Sequence, residues 1–188
     1  MNNKRVIWIA FFLLVVLQLW VPASVIRKKE NILQTGTAVK FRTAPVDPND
    51  YLRGKYIFLS FEETSFITRD NKEWVSGETV YVSLGTDSAG YARITGISAD
   101  KNTGATYIKT RVNYFSYEID TAKRVYVDWP FQKFYMEESK APKAEKLYTE
   151  IRFDTSVISY ALVKVKDGEA VLENVYINNK PIDAYIKK

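Results

Sequence analysis

The side chains available for chemistry are mainly carboxylates, serines and lysines, because the 188 residues include no histidine and no cysteine. Without these two types the chain lacks the Ser-His-Asp triad, thiolate nucleophiles, disulfides and the commonest ligands for zinc, copper and iron. A carboxylate pair, a Ser-Lys dyad or an oxygen-lined site for a hard cation stays open. Adjacent acids such as Glu137 and Glu138 point to opposite faces of a strand, so they do not converge on one bond. We therefore predict no catalytic residue, no metal ion and no cofactor.

One polar loop gathers the oxygen-bearing side chains of Asp47, Asn49 and Asp50. Calcium binding by an EF-hand needs alternating ligands closed by a distal glutamate, and that spacing is absent. Proline restricts the residue before it, Asx side chains close turns and glycine accepts positive φ, so the pattern predicts a loop that enters a strand. A binding role is the alternative. The residues of this candidate loop site are Asp47, Asp50, Arg53, Gly54 and Tyr56.

Aromatic residues crowd the region from Tyr107 to Tyr135. Packing in a β core and pairing across strands explain most of them. The run Trp129-Pro130-Phe131 also permits a second interpretation, a groove for a peptide, a glycan or the helix of a partner. The residues of this candidate groove are Trp129, Phe131 and Tyr135.

An apolar run, Val6–Ile26, precedes the part of the chain that holds all these candidate residues. Its 21 residues, at about 1.5 Å each, span about 32 Å, close to the roughly 30 Å hydrocarbon core of a bilayer. Trp8 and Trp20 stand near its ends, where indole rings favour the headgroup zone. The pattern predicts a transmembrane helix that continues as a juxtamembrane helix until Thr35-Gly36 ends it. A cleaved signal peptide is the alternative, although the run is longer than the usual apolar region of one.

The flanking charges do not decide the orientation, since two basic residues before the run oppose three after it. We expect the following domain to lie outside the cytoplasm, as in an exported signal anchor. Residues 1–30 hold five basic side chains and one acid, so residues 31–188 carry 22 basic against 21 acidic side chains. A domain so close to neutral, without a basic stripe, argues against nucleic-acid binding.

From Thr37 onward the hydrophobic pattern has a period of two, which predicts strands. Asp167-Gly168 between two such patterns is a type I′ hairpin signature, and helical spacing appears at 142–151. We predict a mainly β protein, with a single N-terminal transmembrane helix followed by an antiparallel β-barrel or β-sandwich-like domain with one short helix. Residues 1–36 form the anchor and juxtamembrane helix, and residues 37–188 the β-rich domain. The predicted strands are Val39–Arg42, Lys55–Glu62, Thr79–Leu84, Ala92–Ile97, Tyr107–Val112, Asn113–Ile119, Val125–Phe131, Tyr160–Lys166 and Glu169–Ile177.

The segment 45–61 resembles the bacterial GDYXXLXY protein family, named for Gly-Asp-Tyr followed by spaced Leu and Tyr. Lys55 stands where the family has the acid, and Phe61 where it has the last tyrosine, so no role of that acid is carried over. The resemblance implies a membrane-anchored bacterial protein of a family of uncharacterised function, often expected beside multi-spanning membrane proteins. It extends over nearly the whole chain, through the anchor, 134–138 and 161–182. The motif is matched at Gly54, Tyr56 and Leu59.

These observations together predict a membrane-anchored, non-enzymatic accessory or interaction protein. We expect a single-pass protein of the bacterial inner (cytoplasmic) membrane with an extracytoplasmic β domain. Its expected partners are the membrane, through Val6–Ile26, and a multi-spanning membrane protein. The alternatives are binding of a small ligand or a cell-envelope polymer and, third, a carboxylate-dependent hydrolase.

Overall fold

A computed structural model describes residues 3–44, 56–101, 106–118, 122–135, 137, 143, 146 and 157–186. A 33-residue helix, α1 (Asn3–Thr35), leads into a domain built of short strands. The described strands are β1 (Thr37–Ala44), β2 (Tyr56–Phe58), β3 (Ser60–Phe61), β4 (Ser65–Thr68), β5 (Thr79–Thr86), β6 (Ala92–Ser98), β7 (Tyr107–Tyr117), β8 (Lys123–Asp128), β9 (Lys133–Tyr135), β10 (Ser159–Lys166), β11 (Glu169–Ile177) and β12 (Lys180–Pro181), followed by a short helix, α2 (Asp183–Ile186).

Helix α1 is long and apolar enough to cross a membrane, and the span is not buried against the rest of the molecule. The predicted end of the helix at Thr35-Gly36 is confirmed. The Gly36 N–H donates a 2.8 Å hydrogen bond to the Ile32 carbonyl. A Cβ at position 36 would lie 2.5 Å from that same oxygen, so glycine closes the helix where a side chain would collide.

The strands form two five-stranded sheets and one two-stranded ribbon. The first sheet has the order β12-β11-β10-β1-β3, the second β4-β8-β7-β5-β6, and β2 pairs with β9. All pairings between these strands are antiparallel. The end strands of the second sheet, β4 and β6, lie against each other, so this sheet nearly closes into a barrel. The predicted fold class is confirmed.

One hydrophobic core joins the sheets, and strand alternation fills it. On β1, Val39 and Phe41 are buried whereas Lys40 is exposed, as the period of two predicts. The Asp167-Gly168 turn also links the sheets, because the Lys109 N–H on β7 donates to the Gly168 carbonyl at 2.8 Å. The β10–β11 hairpin is therefore fixed in two places. Strand β10 pairs with β1 in the first sheet, and the turn is hydrogen-bonded to β7 in the second.

The two hairpins predicted from sequence are present, β5 with β6 and β10 with β11. The positive φ of Asp167 (51°) and Gly168 (81°) confirms the type I′ signature. Other boundaries were wrong. The strand predicted at 125–131 runs from Lys123 to Asp128 as β8, so Trp129 and Phe131 lie in the turn after it. The pair of strands predicted at 107–112 and 113–119 is one strand, β7, with an irregularity between Val112 and Phe115 that lets it continue.

The strand predicted at 55–62 divides into β2 and β3 because its two parts pair with different strands. β2 pairs with β9, whereas β3 pairs with the end of β1. Between them Leu59 is fully buried, and its N–H donates to the Gln132 carbonyl at 2.7 Å. Of the helix predicted at 142–151, Lys143 and Lys146 have helical backbone and the rest lies outside the described residues.

Candidate functional site

The last two turns of α1 pack on the β10–β11 hairpin, and we call this contact the membrane junction. It consists of Lys28, Asn31, Ile32 and Thr35 of the helix with Lys166 and Glu169 of the hairpin. Ile32 is only 3% exposed, whereas the large side chains of the apolar run before it, such as Val25 and Ile26, are exposed. Ile32 lies between Asn31 and Thr35, which both contact Lys166, so its burial helps to hold the helix on the hairpin.

Polar contacts surround Ile32 at the membrane junction. The Lys166 ammonium donates to the Thr35 hydroxyl at 2.7 Å and to the Asn31 side-chain oxygen at 3.4 Å. Lys28 forms an ion pair with Glu169. Both partners of this pair are substantially exposed, so its contribution to stability is small and its main effect is on orientation. Among the described residues, the helix is thus held on the hairpin by the buried Ile32, by the hydrogen bonds of Lys166 and by the Lys28–Glu169 ion pair.

A shallow, open groove of about 910 Å³ lies against α1 beside the membrane junction, and the described residues that line it all belong to α1. Trp20, Ala23 and Ser24 line the part that belongs to the apolar run, and Arg27 and Asn31 line the polar part beyond it. Ala23 and Ser24 are small, which allows another backbone to approach the helix closely. The groove therefore combines an apolar surface and a polar surface across the expected membrane boundary.

A second cluster lies on the outer face of the first sheet, where Tyr91 from the turn before β6 covers it. We call it the tyrosine strip: Tyr91, Tyr160 and Tyr176 with Lys40 and Arg42. Tyr160 stacks on Tyr176 with 5.1 Å between ring centroids, and the Tyr91 ring meets Tyr160 edge-on at 5.8 Å. The guanidinium carbon of Arg42 lies 4.2 Å from the Tyr91 ring centroid, and Lys40 Nζ lies 5.3 Å from that of Tyr160. These distances allow cation–π attraction along the strip.

The electrostatics of the tyrosine strip reflect its packing. Burial raises the pKa of the Tyr160 phenol, with smaller contributions from Tyr176 and Tyr91. The neighbouring Asp87 closes a turn by accepting hydrogen bonds from the backbone N–H groups of Tyr91 and Ala89. Those bonds, that of Tyr91 foremost, lower the pKa of Asp87, and the charge of Arg42 adds to the effect.

The family model for the GDYXXLXY protein matches residues 18–175, more than four fifths of the chain. The chain belongs to the GDYXXLXY family. The match begins inside α1, before the membrane junction, and ends within β11, so it takes in both sides of the junction. Comparison with curated proteins and with solved structures gave no match.

Most of the candidate loop site of this GDYXXLXY protein, Asp47, Asp50, Arg53 and Gly54, lies outside the described residues. Its last residue, Tyr56, is half-buried on β2 and lies 5.4 Å from the Tyr135 ring on β9, centroid to centroid. The structure thus brings together one residue of the candidate loop site and one of the candidate groove.

The other two residues of the candidate groove are core residues. Trp129 is 2% exposed and Phe131 is 4% exposed, and both pack on Phe41 at 5.2 and 5.0 Å between centroids. The Trp129 indole N–H donates to the Glu63 carbonyl at 2.6 Å, which satisfies its polar group inside the protein. Tyr135, by contrast, is 65% exposed. The three side chains therefore do not line one open groove, because Trp129 and Phe131, in the turn between β8 and β9, are buried in the core.

The membrane junction and the tyrosine strip of the GDYXXLXY protein were not predicted as sites. Both depend on pairing between distant parts of the chain, such as Arg42 opposite Tyr160. The alternation of Lys40 and Arg42 with Val39 and Phe41 did indicate an outward face, but not what covers it. Within the described parts of the chain, no three acidic side chains come together in a way that would hold a metal ion.

Proposed function

We propose that this GDYXXLXY protein is a non-enzymatic interaction protein, anchored by α1 in the bacterial inner membrane with its β domain outside the cytoplasm. The membrane junction carries the proposal. The helix continues without a break from the apolar run to the contact of Ile32 with the hairpin, leaving no flexible linker between them. From Ile26 to Thr35 the helix advances only about 14 Å, so the β domain is held near the bilayer surface.

We propose further that the partner is a multi-spanning membrane protein, one helix of which packs into the groove beside Trp20, Ala23 and Ser24. In a bilayer, small residues favour such contacts because they let helices approach. The polar half of the groove, with Arg27 and Asn31, then lies where a partner leaves the hydrocarbon. The lack of histidine and cysteine supports a binding role over catalysis, since the commonest general base and nucleophile are missing.

The test is affinity purification of the full-length protein from native membranes in mild detergent, followed by mass spectrometry. Ala23→Leu narrows the groove, whereas Ala10→Leu places the same side chain on α1 away from the residues that line it. We expect a stoichiometric multi-spanning protein with the wild type and with Ala10→Leu, and its loss with Ala23→Leu. Equal capture by both variants would show that the groove is not the binding surface.

A second control separates the anchor from the domain. Residues 1–36 alone retain the groove-lining side chains but lack the hairpin that fixes the helix. We expect this fragment to capture much less partner than the full chain. Full capture by the fragment would mean that the β domain takes no part in the interaction, and turnover of a substrate by the purified protein would contradict the non-enzymatic role.

A further inference from the structure

The guanidinium of Arg42 is the most unusual polar group in the described part of the molecule. Its Nε is buried, yet it has no hydrogen-bond partner among the described residues. A buried donor without an acceptor is costly, and such groups are rare in native proteins. Arg42 as a whole is only half-buried, so the other N–H groups of its guanidinium stay open to an acceptor from outside the described chain.

The surroundings of Arg42 hold the guanidinium in place. Arg42 lies on β1 opposite Tyr160 of β10, and its guanidinium stacks on Tyr91 at 4.2 Å. Lys40, two residues earlier, projects from the same face and is exposed. Asp87, whose carboxylate is influenced by the charge of Arg42, directs Oδ1 to the N–H groups of its own turn and forms no ion pair with Arg42 within the described residues.

We propose that Arg42 and Lys40 bind the anionic group of an acidic saccharide, with Tyr91 and Tyr176 as the walls of the site. A guanidinium donates two parallel hydrogen bonds to a carboxylate or a phosphate, and the ammonium adds a second positive charge. Tyr91 and Tyr176 are half-buried, so part of each ring stays open to contact the apolar face of a sugar ring. This site is independent of the proposed membrane partner, because it lies on the sheet and not on α1.

Isothermal titration of the full-length protein in detergent tests the proposal with three probes: glucuronate, glucose 6-phosphate and glucose. We expect saturable binding of at least one anionic sugar and none of glucose; the stronger of the two anions identifies the group as carboxylate or phosphate. Arg42→Gln should weaken that binding about tenfold or more, since a hydrogen bond to a charged group is lost. Arg42→Lys keeps the charge but not the paired donors, so it should restore only part of the affinity.

Arg111→Gln is the matched control, because Arg111 is an exposed arginine on β7, in the other five-stranded sheet. It should bind as the wild type does. Thermal unfolding of each variant, followed by tryptophan fluorescence, verifies that the fold is intact. Glucose binding as tightly as the anions, unchanged affinity in Arg42→Gln, or no binding of any probe would each overturn the proposal.

Discussion

Gly168 and Gly90 have nearly the same backbone conformation, with φ of 81° and 82°, but very different surroundings. A Cβ on Gly168 would lie 2.5 Å from Cε2 of Tyr107, whereas one on Gly90 would meet nothing within 4 Å. We expect Gly90→Ala to lower the free energy of unfolding only by the backbone strain, about 1–3 kcal/mol. Gly168→Ala should lower the free energy of unfolding by the same strain and by about 1–3 kcal/mol more for overpacking, because the Tyr107 ring must move.

The comparison is made by thermal unfolding of the full-length variants in one detergent, with tryptophan fluorescence as the signal. A larger fall in Tm for Gly168→Ala than for Gly90→Ala would show that the hairpin turn is packed against β7. Equal losses would mean that the tyrosine ring moves aside without cost and that the turn contributes only its own conformation.

Glu78 gives the fold a dependence on pH. Its carboxylate forms an ion pair with Lys72 and accepts a 3.3 Å hydrogen bond from the Val75 N–H. The hydrogen bond from Lys72 is the main cause that lowers the pKa of Glu78 below its ordinary value of 4.5. A lowered folded-state pKa stabilises the fold above the unfolded-state value, and this contribution is lost as the pH falls through the folded-state value.

We therefore expect the Tm of Glu78→Gln to be lower than that of the wild type at pH 7. The two Tm values should approach each other below about pH 4.5, where the unfolded-state carboxyl takes up its proton. Glu73→Gln is the control, since Glu73 is an exposed acid on the same loop. The measurement is Tm of the three proteins between pH 7 and pH 3. A constant difference between wild type and Glu78→Gln over that range would rule out the ion pair as its origin.

For single residues, the sequence predicted which side chains are buried better than it predicted which side chains belong to a site. Val39 and Phe41 were assigned correctly because alternation alone determines which face they occupy. Trp129 was not, since its polar N–H and large ring suit a groove as well as a core, and only the acceptor at Glu63 decides. The sequence around Arg42 does not indicate a site. The Arg42 guanidinium contacts Tyr91, which is far along the chain, and only the fold brings the two side chains together.

At the scale of elements, the contact of α1 with the β10–β11 hairpin is the feature with the clearest consequence. Ile32→Ala removes most of the only buried side chain in the described part of the helix, and a truncation of this kind costs about 2–5 kcal/mol in a core. We expect the last turns of α1 to detach from the sheet while the β domain stays folded. Trypsin should then cleave after Arg27, Lys28 or Lys29 several times faster than in the wild type.

Ile26→Ala is the control for this digestion, because Ile26 is 69% exposed on the same helix and the same truncation there uncovers no contact with the hairpin. Time courses in one detergent, with mass spectrometry of the fragments, measure the cleavage rates. Equal rates for Ile32→Ala and the wild type would show that Lys166 and Glu169 suffice to hold the helix.

Local elements were predictable where a local chemical signature exists. Asp167-Gly168 identifies its own hairpin, and Gly36 ends its own helix. Asn178 and Asn179 carry a similar signal, with φ of 47° and 63° in the turn before β12, and that turn was missed. The division of 55–62 into β2 and β3 was not predictable, since it depends on which distant strands each half pairs with.

For the whole molecule, sequence predicted the class of fold but left barrel and sandwich open. The near closure of the second sheet depends on contact between β4 and β6, which are separated along the chain by β5 and its flanking loops and carry no pairing signature. Local patterns fix which side of a strand is buried, not which strand lies beside it. The same reasoning applies to orientation, because the flanking charges of α1 are nearly balanced and only the position of the β domain relative to the bilayer distinguishes the two arrangements.

Orientation is testable with single cysteines, because the chain has none of its own. Asp100→Cys introduces a thiol at an exposed position of the β domain, and Lys4→Cys introduces one at the opposite end of the apolar run. In intact spheroplasts we expect a membrane-impermeant maleimide to label Asp100→Cys at once and Lys4→Cys only after permeabilisation. Ile57→Cys, at a position 4% exposed, should stay unlabelled until the protein is denatured, which verifies that the domain is folded. Labelling of Lys4→Cys before permeabilisation, with Asp100→Cys protected, would place the domain in the cytoplasm and would require a partner surface on that side.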